Sequence, residues 1–262
     1  MLIRRILLWQ FSFLYGTVLL VRHALYDNGI LKSVRPTLPT IAIGNLALGG
    51  TGKTPMMELV LRTLEGTGPL ATLSRGYGRK GNDIHEVAAQ DSAERSGDEP
   101  LQVKAKFPDV HVFVGADRVK AVEEIQRSLP AVKAVVLDDA LQHRRLNAGL
   151  SILLTTWQRP YCDDALIPAG DLRDLPSRKK VSQIVVVTKC ASLPSVVEQQ
   201  DWRERLGLTA EQRLFFAGIE YEELKLAIGS GQGALNPAAL PTANCLLFTG
   251  IAEPAPLVAH LR

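Results

Sequence analysis

The stretch Gly49-Gly50-Thr51-Gly52-Lys53-Thr54 has the residue types and spacing of a polyphosphate cradle. Backbone N–H groups of a glycine-rich turn point inward, the helix that follows favours anions at its N-terminus, and a lysine reaches the β/γ-phosphates. Thr54 is spaced to place its hydroxyl on Mg²⁺. The full pattern G-x-x-x-x-G-K-[ST] asks for glycine at position 47, where the chain has Ala47, so this is a variant loop. Gly49 and Gly50 supply the tight turn instead. A second chemical signal is Asp138-Asp139 at the end of an apolar run, Ala134 to Leu137. Adjacent carboxylates at a strand tip repel each other, and a divalent cation relieves that repulsion. In phosphate-loop enzymes an acid placed there holds the Mg²⁺ that bridges the phosphates. Gln142-His143-Arg144-Arg145 follow at the same edge.

Three further loops carry charge. Ser74-Arg75-Gly76-Tyr77-Gly78-Arg79-Lys80 sets three cations and an aromatic among glycines, a composition suited to an anionic substrate and equally that of a mobile solvent loop. Gly97-Asp98-Glu99-Pro100 puts acids where a helix begins. Asp98 is there either an N-terminal cap or a base that accepts a hydroxyl proton, and spacing does not separate the two. Leu166 to Asp174 adds Arg173 with the acids Asp171 and Asp174.

These residues need elements to hold them. Apolar, β-branched runs at 38–43, 69–73, 110–114, 132–137, 150–155 and 183–188 alternate with helical periodicity at 56–65, 99–106, 117–128 and 195–206. That alternation predicts an α/β fold, a mostly parallel sheet covered by helices on both faces. Pro55 suits the first turn of the helix after the phosphate loop. Residues 213–217 and 246–250 predict further strands, with a loop over 229–241. The expected divisions are an N-terminal segment 1–36, a phosphate-loop core 37–210 and a smaller C-terminal portion 211–262.

The N-terminal segment is distinctive. Arg4-Arg5 precede an apolar, aromatic run interrupted by Gln10, Ser12, Gly16 and Thr17, about 16 residues where a membrane span needs roughly 20. Its flanks predict a helix lying in or dipping into a membrane surface rather than crossing it, the alternative being an ordinary core helix that covers the sheet. Residues 1–40 carry five Lys/Arg against one acid, while the whole chain is only +3, so the basic excess is local and argues against a nucleic-acid surface. The three cysteines, Cys162, Cys190 and Cys245, show no metal or disulfide spacing and fit a reducing compartment.

Together these stretches resemble the tetraacyldisaccharide 4′-kinase family of lipid A biosynthesis. The resemblance is carried by Gly44-Asn45 with Gly49 to Pro55, Ser74 to Gly78, Gly97 to Pro100 and Gly115-Ala116-Asp117-Arg118. It continues in Asp138-Asp139-Ala140-Leu141-Gln142-His143, Pro168-Ala169-Gly170 with Leu172-Arg173, and Thr188-Lys189. It implies a membrane-associated P-loop kinase that transfers the γ-phosphate of ATP, with Mg²⁺, to the 4′-hydroxyl of an acylated glucosamine disaccharide 1-phosphate. The implied location is the cytoplasmic face of the bacterial inner membrane, with no nucleic-acid or protein partner. It implies that residues 49–54 hold the nucleotide and that Thr54, Asp138, Asp139 and Asp174 serve the metal. It further implies that Asp98 activates the acceptor, that Lys53, Arg118, Arg173 and His143 act on the transferring phosphoryl, and that Asn45, Arg75, Tyr77 and Arg79 meet the substrate. Asp174 stands where the family usually has Glu. The family also carries a late Asp-His motif whose histidine pairs with the catalytic acid; the chain ends at Arg262 and His260 stands outside such a motif. The resulting alternatives are a weakened, truncated homologue and a membrane-associated nucleotide switch. A guanine-reading switch is disfavoured, because Thr188-Lys189-Cys190 lacks the Asn and Asp of that motif.

Overall fold

A computed structural model of the protein describes residues 2–220 and residue 258. The strands are β1 (Thr40–Asn45), β2 (Leu70–Ser74), β3 (His85–Glu86), β4 (His111–Val114), β5 (Ala134–Asp138), β6 (Leu150–Thr156), β7 (Ile184–Thr188) and β8 (Arg213–Phe216). The helices are α1 (Leu2–Asp27), α2 (Lys53–Thr63), α3 (Ala93–Ser96), α4 (Asp98–Lys106), α5 (Arg118–Ser128) and α6 (Val196–Arg205). Among the described residues these strands form one eight-stranded sheet, ordered β3-β4-β2-β5-β1-β6-β7-β8. Every pairing is parallel except β3 with β4. From β1 the chain winds out to β2 and β4, returns through β5, then builds β6 to β8 on the other side. The carboxyl ends of β1, β2, β4 and β5 therefore converge, and such a crevice is where open α/β sheets bind ligands.

Successive residues of a strand point to opposite faces, and this sheet buries both. Ala42, Leu73, Val135, Leu137, Leu153, Val185 and Val187 join one core with Val122 and Ile125 of α5 and Trp202 of α6. Ile43, Val112, Val114, Val136, Ile152, Leu154 and Val186 join the other with Met57 and Leu61 of α2 and Val103 of α4. The continuous apolar runs in the sequence are thus the two-sided burial of a parallel sheet.

Helix α1 extends to 26 residues, well beyond the apolar run. It packs inside out. The face turned to the protein carries Ser12, Gly16, Leu19 and His23, all buried, whereas Leu7, Trp9, Phe11, Phe13, Leu14, Val18, Leu20 and Val21 are exposed. Gly16 lets the helix approach the Leu166 side chain, which a Cβ there would meet at 2.9 Å. Among the described residues no helix is long and apolar enough to cross a membrane. The predicted strand at 246–250 and loop at 229–241 lie outside the described residues, as does His260.

Candidate active site

The phosphate loop leaves β1 and enters α2 through Gly52, whose φ of 84° is the left-handed conformation that glycine supplies without strain. Gly49 also has positive φ, 103°. Ala47 does not; it forms an antiparallel bridge with Leu172, flanked by Leu48 N–H to Asp171 O (2.7 Å) and Arg173 N–H to Leu46 O (2.8 Å). Position 47 is extended backbone here, which explains why alanine serves where the consensus has glycine. Thr188 Oγ1, at the tip of β7, donates to Thr51 O (2.9 Å) and fixes the far side of the loop.

A cleft of about 900 Å³ opens over these strand ends. Gly49 and Lys53 form one wall, Ser74 to Tyr77 and Asp98 to Pro100 another, and Arg118, Asp138, Asp139, Gln142, His143 and Arg173 close it. Asp98 opens α4, and the N-cap is Gly97, with φ 88° and ψ 153°. The cap reading of Asp98 therefore gives way: its carboxylate makes no cap bond and lies exposed in the cleft. Gly97 is required there because a Cβ would meet Tyr77 O at 3.2 Å. Beneath it, Ser96 Oγ donates to Asp91 Oδ2 (2.7 Å), and His85 Nε2 lies 3.1 Å from the same hydroxyl, so the turn preceding Asp98 is braced.

Arg118 is buried at 4 % exposure and donates to Gly115 O (2.6 Å) and Asp138 O (3.2 Å). Burial lowers it to about 10, with Asp138 opposing the shift. Asp117 caps the same helix by accepting from Val119 N–H and Lys120 N–H. The two strand-tip acids have different surroundings. Burial, with Glu99 and Asp139 nearby, raises Asp138 to about 6 against the pull of Lys53 and Arg118, and its Oδ1 is buried without a partner. Asp139, at a positive φ of 49°, turns to Arg173, whose Nη1 donates to Oδ2 (2.7 Å) and whose Nη2 donates to Oδ1. Although burial works in the opposite direction, Arg173, Lys53 and Arg118 hold the Asp139 carboxyl below its ordinary range. His143 is pushed down by burial and then by Arg118, so it stands neutral in the cleft.

Among the described residues no group of three or more acids, histidines or cysteines is gathered as a metal cage. Mg²⁺ does not need one, because it binds through one or two carboxylates with phosphates and water completing the shell. The orphaned Oδ1 of Asp138 in a cleft beside Lys53 fits that role.

Asp174, Arg79 and Asn45 lie off the cleft wall, as do Gly50, Thr51, Gly52 and Thr54 of the phosphate loop. Asp174, assigned to the metal, is 1 % exposed, and its Oδ1 accepts from His23 Nε2 (2.7 Å) and Leu175 N–H (2.8 Å), which ties it to α1. Arg79, assigned to substrate, has a side chain only 2 % exposed and donates to Asp83, closing its own loop. Asn45, assigned to substrate, is fully buried and accepts from Arg173 through Oδ1. Of the other assigned residues, Gly50, Thr51, Gly52 and Thr54 complete the loop around Gly49 and Lys53, and Arg75 and Tyr77 line the cleft, Tyr77 being 92 % exposed. Sequence reasoning passed over Glu99 and Gln142, both on the wall; Gln142 Nε2 donates to Asn45 O (2.6 Å). Each sits inside a motif whose neighbours were singled out, which was the available signal.

Residues 4–262 match the family model described as tetraacyldisaccharide-1-P 4′-kinase. A tetraacyldisaccharide 4′-kinase of Flavobacterium johnsoniae is 41% identical over 261 residues, covering 100% of this chain and 76% of that protein. One from Bacteroides thetaiotaomicron is 39% identical, covering 97% and 69%. Among solved structures, the Aquifex aeolicus LpxK in complex with ATP superposes with a TM-score of 0.65 at 26% identity, covering 88% of this chain and 87% of that one.

Proposed function

The chain belongs to the tetraacyldisaccharide-1-P 4′-kinase family, and from that premise we propose that the cleft over β1, β2, β4 and β5 is where its phosphoryl transfer takes place. The protein phosphorylates the 4′-hydroxyl of tetraacyldisaccharide 1-phosphate at the expense of ATP, in lipid A synthesis. The observation that carries the site assignment is the convergence of Lys53, Asp98, Arg118, Asp138, Asp139 and Arg173 on one cleft beside the phosphate loop.

Phosphoryl transfer asks a protein mainly for positioning and for charge opposite the transferring group. The backbone of 49–54 and Lys53 hold the nucleotide phosphates. Asp138, through its unpartnered Oδ1, and Thr54 would hold Mg²⁺. Bound there, Mg²⁺ supplies neutralising charge for the β- and γ-phosphates. Asp98, exposed and free of cap bonds, accepts the proton of the acceptor hydroxyl as the oxygen attacks. Arg118 and Arg173 set positive charge around the group in flight, while Arg75 and Tyr77 form the outer, substrate-facing lip. His143, neutral, presents a hydrogen-bonding nitrogen to the same space. The exposed apolar face of α1 rests on the inner membrane surface, where an acylated acceptor resides.

The test is transfer of labelled γ-phosphate to the acylated disaccharide 1-phosphate in detergent micelles. We expect the parent to turn over and Asp98→Ala to lose about 10²- to 10⁴-fold in kcat while still binding ATP. Hydrolysis of ATP with no labelled lipid would favour a nucleotide switch instead, and a fully active Asp98→Ala would remove the proposed base.

A further inference from the structure

The polar face that α1 turns inward ends on the two segments that bring Arg173 and Asp139 together. Ser12 Oγ donates to Leu166 O (2.8 Å) and accepts from Ala169 N–H (2.9 Å). One turn on, Tyr15 Oη donates to the carbonyl of Arg173 itself (2.8 Å). Two turns further, His23 Nε2 meets Asp174 Oδ1 at 2.7 Å, in a pair whose side chains are 6% and 2% exposed. Across the cleft edge, Arg22 Nη2 donates to Gln142 O (2.9 Å). Arg144 Nη1 lies 3.3 Å from His23 Nδ1 and its Nη2 donates to Asp27 (2.7 Å). Arginine has no acceptor to offer, so His23 Nδ1 accepts from it, and the ring proton sits on Nε2, facing Asp174. His23 is thereby fixed in one tautomer as a link between the 139–145 segment and the 166–174 segment.

We propose that Tyr15 and His23 are positioning residues for phosphoryl transfer: from α1 they hold residues 173 and 174 so that the Arg173 guanidinium stays on Asp139 at the edge of the cleft. The proposal rests on the reading of Arg173 as part of the transfer site. Residues 173 and 174 have their backbone or side chain bonded to α1, while the Arg173 head group bonds Asp139 and Asn45. The arginine is thus stretched between a helix that faces away from the core and an acid at the strand tip. A displacement of this segment by a fraction of an ångström is enough to misplace a charged group at a reacting centre.

The test measures kcat and the KM for ATP and for acceptor in Tyr15→Phe, His23→Ala and His23→Gln, alone and in an Arg173→Ala background, with thermal unfolding alongside. Tyr15→Phe removes one hydroxyl and keeps the helix packed, so it remains informative if His23→Ala fails to fold. We expect kcat to fall about 10-fold in Tyr15→Phe and about 10- to 100-fold in His23→Ala, with both KM values near parental. His23→Gln keeps a donor at the Nε2 position and should recover most of kcat. Once Arg173 is alanine, the same changes should lower kcat no further, because they act through that side chain. The proposal is overturned if the variants lower only the melting temperature, if they raise acceptor KM at parental kcat, or if their effects persist undiminished without Arg173. Parental kcat in Arg173→Ala would remove the site assignment for Arg173 itself, and this proposal with it.

Discussion

Replacing Trp9 and Phe13 of α1 by serine tests what the outward apolar face of this helix is for. The two side chains are one turn apart and 61% and 70% exposed, so about two-thirds of each awaits burial. Fully burying a large apolar side chain is worth about 1.5–3 kcal/mol. Removing two that are each two-thirds available therefore costs a membrane-bound state about 2–4 kcal/mol. That corresponds to a roughly 30- to 800-fold weaker vesicle partition coefficient. Cosedimentation with phospholipid vesicles containing an anionic lipid measures it directly. The melting temperature in the absence of lipid should hardly move, because neither side chain is part of the buried core. Unchanged partition together with a lowered melting temperature would refute the reasoning, since it would mean that this face is covered by protein.

Gly97→Ala places a Cβ at φ 88° and ψ 153°, against Tyr77 O. It should cost about 1–3 kcal/mol in denaturant unfolding and lower kcat further than stability alone explains, because Asp98 follows; parental kcat would count against the placement of Asp98. Arg118→Met strips the donors from the Gly115 and Asp138 carbonyls and should destabilise by about 1–3 kcal/mol per orphaned group, read by chemical denaturation. Burial and then Arg118 hold His143 below the ordinary histidine value of about 6.5 in the folded protein, so the unfolded chain takes the proton first. The stability this histidine contributes is thus present above about pH 6.5 and is lost as pH falls through its lower folded value. The unfolding free energy of the parent relative to His143→Gln should decline between pH 8 and pH 5, and a flat difference would contradict the burial.

Where local chemistry decides structure, the sequence was readable. The apolar runs at 69–73 and 183–188 became β2 and β7 within a residue of their expected bounds, since a two-sided parallel strand announces itself as an uninterrupted apolar run. Strand β3 was not readable: His85-Glu86 is two polar residues, paired to β4 only because the chain folds back there. For Asp174, Arg79 and Asn45 the sequence did not show that the side chain stands off the cleft wall. A charged or polar residue beside a motif looks the same whether it faces a ligand or supports the residue that does, and only the fold shows His23 waiting for Asp174. The inverted packing of α1 was half visible. Its apolar run was plain, but Ser12 and Gly16 read as interruptions of the membrane face, whereas with His23 they form the face that binds the protein.

The bridge between Ala47 and Leu172 makes the phosphate loop and the arginine segment neighbours by main-chain hydrogen bonds, not by side chains alone. In the proposed site, ATP and the acceptor would lean on one shared piece of backbone from opposite ends. Whichever ligand arrives first bears the entropy of ordering it, and the second arrives at a segment already stilled. By thermodynamic reciprocity, each ligand then raises the affinity for the other by the same factor. Amides 46–48 and 171–173 should gain protection from hydrogen exchange together, whichever ligand is added.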